Sequence, residues 1–163
     1  MLACSDSRVP TEILFDVGVG ETFSIRIAGN VSSEEALGSM EFGCAVTGAK
    51  LLLVLGHTGC GAIRSTIDLV ARGESEIPGY DHLASITGPL AAVVSSKKET
   101  TTARTVENDA FVQRVTVLNV ESTLQQIPLR SRTLQTLIEE GRLRLVGGVY
   151  DIATGQVEFL EPS

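Results

Sequence analysis

The chain has 163 residues, 43% of them apolar, which is enough to build a core without disulfides or a structural metal. A formal net charge of −7 speaks against a nucleic-acid partner, and no apolar run approaches the ~20 residues of a membrane-spanning helix. Three cysteines, Cys4, Cys44 and Cys60, are an odd number and too few for a disulfide framework. They point to a reducing compartment in which thiols are kept for a metal or for catalysis.

In chain order, residues 2–5 read as the tail of a strand. Cys4, Asp6 and Arg8 then stand at every other position and would share one side. Pro10 followed by TEILF reads as a short helix with proline in its first turn. TFSIRI (22–27) alternates and reads as a strand. Residues 30–50 carry Ser and Asn capping signals, then Ala36, Leu37, Met40, Phe42 and Cys44, a helix that stops at Gly48. LLLVLG (51–56) is a continuous apolar run closed by glycine, suited to a parallel strand buried on both faces. Residues 60–73 predict a helix and 74–81 a loop. Residues 82–98 have helical periodicity with a break expected at Gly88-Pro89 and a solvated end at Lys97-Lys98. Residues 107–127 predict a further helix, and 131–141 a short one with a serine cap and a glycine stop. Residues 143–152 and 156–161 read as strands joined by ATG in a hairpin.

Strands alternating with helices imply one α/β domain over residues 1–163, a mostly parallel sheet flanked by helices with a C-terminal antiparallel edge strand. Met1 and Leu2 lead straight into polar residues without a secretory leader, which reads as a cytoplasmic protein. Ligands of such sheets gather at the carboxyl ends of the strands. Two stretches fall there: CSDSR (4–8) and GHTGCGA (56–62).

His57 and Cys60 stand three apart where a strand turns into a helix, and Cys60 falls at the helix N-terminus, where the dipole favours a thiolate. If the first strand lies beside the third, Cys4 comes within reach. Two thiolates and one imidazole make a tetrahedral zinc set with one corner left over. Two thiolates cancel the charge of Zn²⁺, so a bound water is acidified less than at a three-histidine site, and activity should climb on the alkaline side. Asp6 is either a fourth ligand in a closed state or a hydrogen-bond acceptor at an open corner, and Arg8 can hold it off the metal by pairing with it. Cys44 sits in an apolar helical stretch and reads as core. His82 reads as an exposed residue near a helix start. The order G-x-x-G-x-G in 56–61 does not fit a dinucleotide loop. Arg64 follows Cys60 too closely to close a phosphate-binding loop.

CSDSR together with GHTGCGA resembles the β-class carbonic anhydrases. The likeness extends through GETFSIRIAGN, LGSMEFGCAVTGAKLLLVLGH and GGVYDIATGQVEFLE. The resemblance implies a zinc lyase that reversibly hydrates CO2 to bicarbonate and a proton by attack of a zinc-activated hydroxide. It implies zinc held by Cys4, His57 and Cys60, with Asp6 and Arg8 as the catalytic dyad. It also implies a homodimer or higher homo-oligomer, with pocket walls near Val17, Gly18 and Val19. Two features depart from the family pattern. The helical arm that usually precedes the first motif is missing before Cys4. Met1 stands where an allosteric subclass has a tryptophan that works with the counterpart of Arg26, so Arg26 reads as a structural ion-pairing residue. Hydrolysis of carbonyl sulfide or carbon disulfide on the same framework, and an impaired zinc-binding remnant, are the alternatives.

Overall fold

The computed structural model describes residues 1–96 and 103–161, so the expected helix end at Lys97-Lys98 lies outside the described residues. Five strands form one sheet in the order β2-β1-β3-β4-β5: β1 (Leu2–Ala3), β2 (Ile25–Arg26), β3 (Leu51–His57), β4 (Arg144–Tyr150) and β5 (Val157–Phe159). The first four are mutually parallel and β5 joins the edge antiparallel, as the sequence predicts.

β3 is the spine. Leu52 and Val54 enter a core with α2 (Glu34–Glu41), α5 (Asp109–Arg130) and α6 (Arg132–Glu139). Leu53 and Leu55 enter a second core with Val9 and Tyr150, against α1 (Thr11–Leu14). Burial of both faces is why this strand reads as an unbroken apolar run. A third core joins α3 (Gly61–Ala71), α4 (Ala84–Ser96) and the first half of α5 around Ile63, Ile67, Leu90 and Val115, and it includes Cys4 and Cys60.

Several boundaries differ from the expected ones. β1 has only two paired residues, so the edge strand β2 is limited to the two opposite them rather than 22–27. Beyond Ala3 the chain leaves the sheet, and the Val9 N–H donates to the Asp6 carbonyl (3.0 Å). A turn, not strand alternation, therefore brings Arg8 back towards Asp6. Pro10 is the N-cap of α1 and not part of its first turn. The helix expected over 30–50 is divided into a 3₁₀ turn (Ala28–Asn30), α2 capped by the Ser33 hydroxyl (Ala36 N to Oγ, 3.2 Å), and a π-helical segment (Phe42–Val46). Gly88-Pro89 does not break α4. Proline withholds one N–H from the Ser85 carbonyl, and burial of Leu90, Val93 and Val94 in the third core outweighs that loss. α5 similarly runs through Pro128 to Arg130. The β4–β5 connection spans residues 151–156 rather than ATG alone.

α5 packs directly on strand backbone. A Cβ on Gly147 would lie 2.7 Å from Leu124 Cδ1 and 2.9 Å from Val120 Cγ1; one on Gly56 would lie 2.8 Å from Val120 Cγ2. Val120 is fully buried and β-branched, so it has little room to yield. Gly147→Ala should therefore destabilise the protein by about 1–3 kcal/mol through overpacking, read as a lower denaturant midpoint. An unchanged midpoint would contradict this close approach.

Candidate metal centre

Cys4 directly follows β1, and His57 is the last residue of β3. Because β1 and β3 are parallel neighbours, with Leu2 opposite Val54 and Ala3 opposite Leu55, both residues arrive at the same end of the sheet. The chain then turns through Gly59, whose φ of +67° is in the left-handed region that favours glycine. Cys60 follows as the N-cap of α3, an eleven-residue helix. Cys4, His57 and Cys60 are all buried, and their ligand atoms lie within 4.8 Å of one another. The two sulfurs are 4.0 Å apart, close to the ~3.8 Å that two Zn–S bonds of ~2.3 Å subtend in a tetrahedron.

The hydrogen bonding supports a metal here. His57 Nδ1 lies 3.0 Å from the Thr58 carbonyl and donates its proton to it. Nε2 is left buried with no hydrogen-bond partner among the described residues. An unpartnered imidazole nitrogen beside two thiols is the donor set of a zinc ligand with a fixed tautomer. Cys4 Sγ accepts the Gly29 N–H (3.3 Å), and the Gly29 carbonyl accepts Asn119 Nδ2 (2.8 Å). The Cys4 thiol is pulled down to about 4, first by its hydrogen bond with Cys60 and then by His57 and the backbone N–H groups, against the opposing effect of burial. Cys60, its partner in that contact, is pushed up by the bond and by burial. A divalent cation between the two sulfurs would favour deprotonation of both.

Asp6 and Arg8 form a bidentate pair beside this cluster. Arg8 Nη2 reaches Oδ2 at 2.7 Å, Nε reaches Oδ1 at 2.9 Å, and the Arg8 backbone N–H also donates to Oδ1 at 2.9 Å. The Arg8 guanidinium holds the Asp6 carboxyl well below the usual carboxylate range. Arg8 Nη2 also donates to the Gly59 carbonyl (3.2 Å), tying the first motif to the second. Asp6 lies outside the three-ligand group; in this structure it is paired with arginine.

Other expected residues fall elsewhere. Cys44 packs in the first core with Leu37 and Met40, apart from the cluster. His82 is exposed. Val19 is fully exposed. Arg26 makes no ion pair among the described residues. It donates through Nε to the Cys4 carbonyl (3.0 Å) and through Nη2 to the Asp6 carbonyl, pinning the segment that carries both. Sequence reading missed this role; the available signal was that a parallel pairing of 2–3 with 25–26 sets Arg26 opposite Ala3. Two grooves, of about 730 Å³ at α4 and α5 and about 800 Å³ at α6 and Cys44, are lined by other residues.

Comparisons with known proteins agree with this geometry. The family described as "Carbonic anhydrase" matches residues 1–157. The carbonic anhydrase of Mycolicibacterium smegmatis is 33% identical over 159 residues, covering 98% of this chain and 72% of that protein. That of Pseudomonas aeruginosa is 31% identical over 170 residues, covering 98% and 71%. The Coccomyxa β-carbonic anhydrase solved with acetazolamide superposes with a TM-score of 0.80 at 25% identity, covering 98% of this chain and 69% of that one. One of two tetrameric β-carbonic anhydrases of Sordaria macrospora shares the fold, with a TM-score of 0.78 at 22% identity, covering 99% and 79%. The chain belongs to the β-carbonic anhydrases, a family of enzymes. No described helix is long and apolar enough to cross a membrane.

Cys60→Ser should lose bound zinc, whereas Cys44→Ala should leave metal content unchanged, both read as moles of zinc per mole of chain. Full retention in the first, or loss in the second, would contradict the ligand assignment.

Proposed function

We propose that this chain reversibly hydrates CO2 to bicarbonate and a proton, with one zinc held by Cys4, His57 and Cys60 and with Asp6 and Arg8 as the catalytic pair. The observation that carries this reading is the buried, unpartnered Nε2 of His57 beside two thiols. The many relatives named carbonic anhydrase support it. A zinc ion in that donor set would supply Lewis acidity, lowering the pKa of water so that a nucleophile exists near neutral pH.

The chain's own residues do the rest. Asp6 is held ionised, so it can only accept hydrogen bonds. It takes the hydrogen of the attacking water and fixes the direction of the lone pair that meets the carbon of CO2. Arg8 grips both Asp6 oxygens and the Gly59 carbonyl, which fixes the carboxylate's orientation and keeps it from the ligand corner. Arg26 fixes the backbone on either side of Ser5. One water and one CO2 are consumed; bicarbonate leaves, and the proton passes to buffer.

The same reading takes the chain as one subunit of a homo-oligomer, a dimer or larger. Ile13, Val19, Phe23 and Phe42 are exposed, and β2 is an edge strand of the sheet among the described residues; the related Sordaria proteins are described as tetrameric. A cytoplasmic setting suits its three free thiols.

Asp6→Asn should keep one zinc per chain and lose CO2 hydration by about a hundredfold. A rate near wild type in the zinc-loaded variant would remove Asp6 from the mechanism. Wild-type turnover should rise from neutral to alkaline pH, because two thiolates leave the zinc less able to acidify water than three neutral imidazoles would. A rate that falls over that interval would contradict the donor set.

A further inference from the structure

We propose that the turn between β4 and β5 holds the metal loop in its binding geometry, with Asp151 acting through Thr58 as a positioning residue for His57. This rests on the reading of Cys4, His57 and Cys60 as a zinc site.

β3 and β4 stay in register to their last pair, His57 opposite Tyr150, so Thr58 and Asp151 leave the sheet side by side. Three hydrogen bonds then join Thr58 to residues 150–152. The Thr58 N–H donates to the Tyr150 carbonyl (2.9 Å). The Thr58 hydroxyl donates to Asp151 Oδ1 (3.1 Å) and accepts the Ile152 N–H (3.1 Å). The remaining polar group of Thr58 is its carbonyl, which receives His57 Nδ1–H. Fixing the side chain and N–H of Thr58 fixes the direction of that carbonyl. The carbonyl in turn fixes both the plane of the imidazole and its tautomer, leaving Nε2 as the free acceptor.

Asp151 is a rigid anchor because its own turn immobilises it. Oδ1 also accepts the Ala153 N–H (3.0 Å), and Oδ2 accepts the Thr154 hydroxyl (2.9 Å). Its N–H donates to the Gln156 carbonyl (2.8 Å), and its carbonyl accepts the Gly155 N–H (2.9 Å). These donors, the Ala153 N–H first, hold its carboxyl below the ordinary range, so it remains an acceptor. The loop also packs on the turn, since a Cβ on Gly59 would lie 3.4 Å from Ile152 Cδ1. The metal loop is therefore held from two sides, by Arg8 at the Gly59 carbonyl and by the β4–β5 turn at Thr58.

The test measures zinc affinity by competition with a chromophoric chelator, for wild type and for Thr58→Val, Thr58→Ser and Asp151→Ala. Thr58→Val keeps the shape and removes the hydroxyl; Thr58→Ser keeps the hydroxyl. Thr58→Val and Asp151→Ala should each weaken zinc binding by about tenfold to a hundredfold. Thr58→Ser should stay near wild type. The double variant Thr58→Val/Asp151→Ala should bind no more weakly than the weaker single one, because both changes break the same link. Asp151 also builds its own turn, so the Val/Ser pair decides the matter if Asp151→Ala does not fold. Zinc held as tightly by Thr58→Val as by wild type, or as weakly by Thr58→Ser as by Thr58→Val, would overturn the proposal and leave the zinc site standing. A wild-type chain that binds no zinc would overturn the site and this proposal together.

Discussion

Two short parallel strands running side by side create the site. Leu2 and Ala3 pair with Val54 and Leu55, and that pairing delivers Cys4 to the end of β3, where His57 and Cys60 already stand. Cys4 is separated from Cys60 by fifty-six positions, and nothing local could bring them together. The same pairing orders the other side of β1, where the β2 residue opposite Ala3 is Arg26, which reaches the Cys4 and Asp6 carbonyls. The apolar packing around β3 is what keeps this arrangement in place: Leu52 and Val54 on one face, Leu53 and Leu55 on the other. Gly56 of β3 and Gly147 of β4 matter because they let α5 lie against the strands without a side chain between them.

On that scaffold, charge is distributed so that each group has one role. Cys4 Sγ lies 4.0 Å from Cys60 Sγ and accepts the Gly29 N–H, a setting that suits a dication. Asp6 carries a full charge but spends it on Arg8, so it stands beside the ligand set without joining it. Arg8 in turn donates to the Gly59 carbonyl, which ties the Asp6–Arg8 pair to the loop that carries Cys60. Thr58 ties that loop to the β4–β5 turn from the opposite side. The result is a His57 Nε2 that is buried and has no hydrogen-bond partner among the described residues.

Much of this was readable in the residues. The unbroken run at 51–56 reads as a doubly buried strand, and the glycine-flanked His57 and Cys60 stand where it ends and the next helix begins. The Asp6–Arg8 pairing was legible, but for a different geometric reason. Strand alternation was expected, and a turn made by the Val9 N–H to Asp6 carbonyl bond produces the pair instead. The β1 strand is too short to carry alternation that far. Gly88-Pro89 misled because local propensity was weighed without the core that Leu90 and Val93 fill. Arg26, Thr58 and Asp151 were not recognised because their roles run through backbone carbonyls and a neighbouring strand, and neither leaves a signature in residue type or spacing. Only strand register reveals them.

The central claim is a three-donor site of two sulfurs and one imidazole. The most direct measurement is zinc-edge X-ray absorption on the metal-loaded chain, which counts and identifies the atoms around the ion. The account predicts two sulfurs at about 2.3 Å and one imidazole nitrogen at about 2.0 Å, with a single lighter atom completing the shell. A shell with one sulfur, with three sulfurs, or without an imidazole would contradict it.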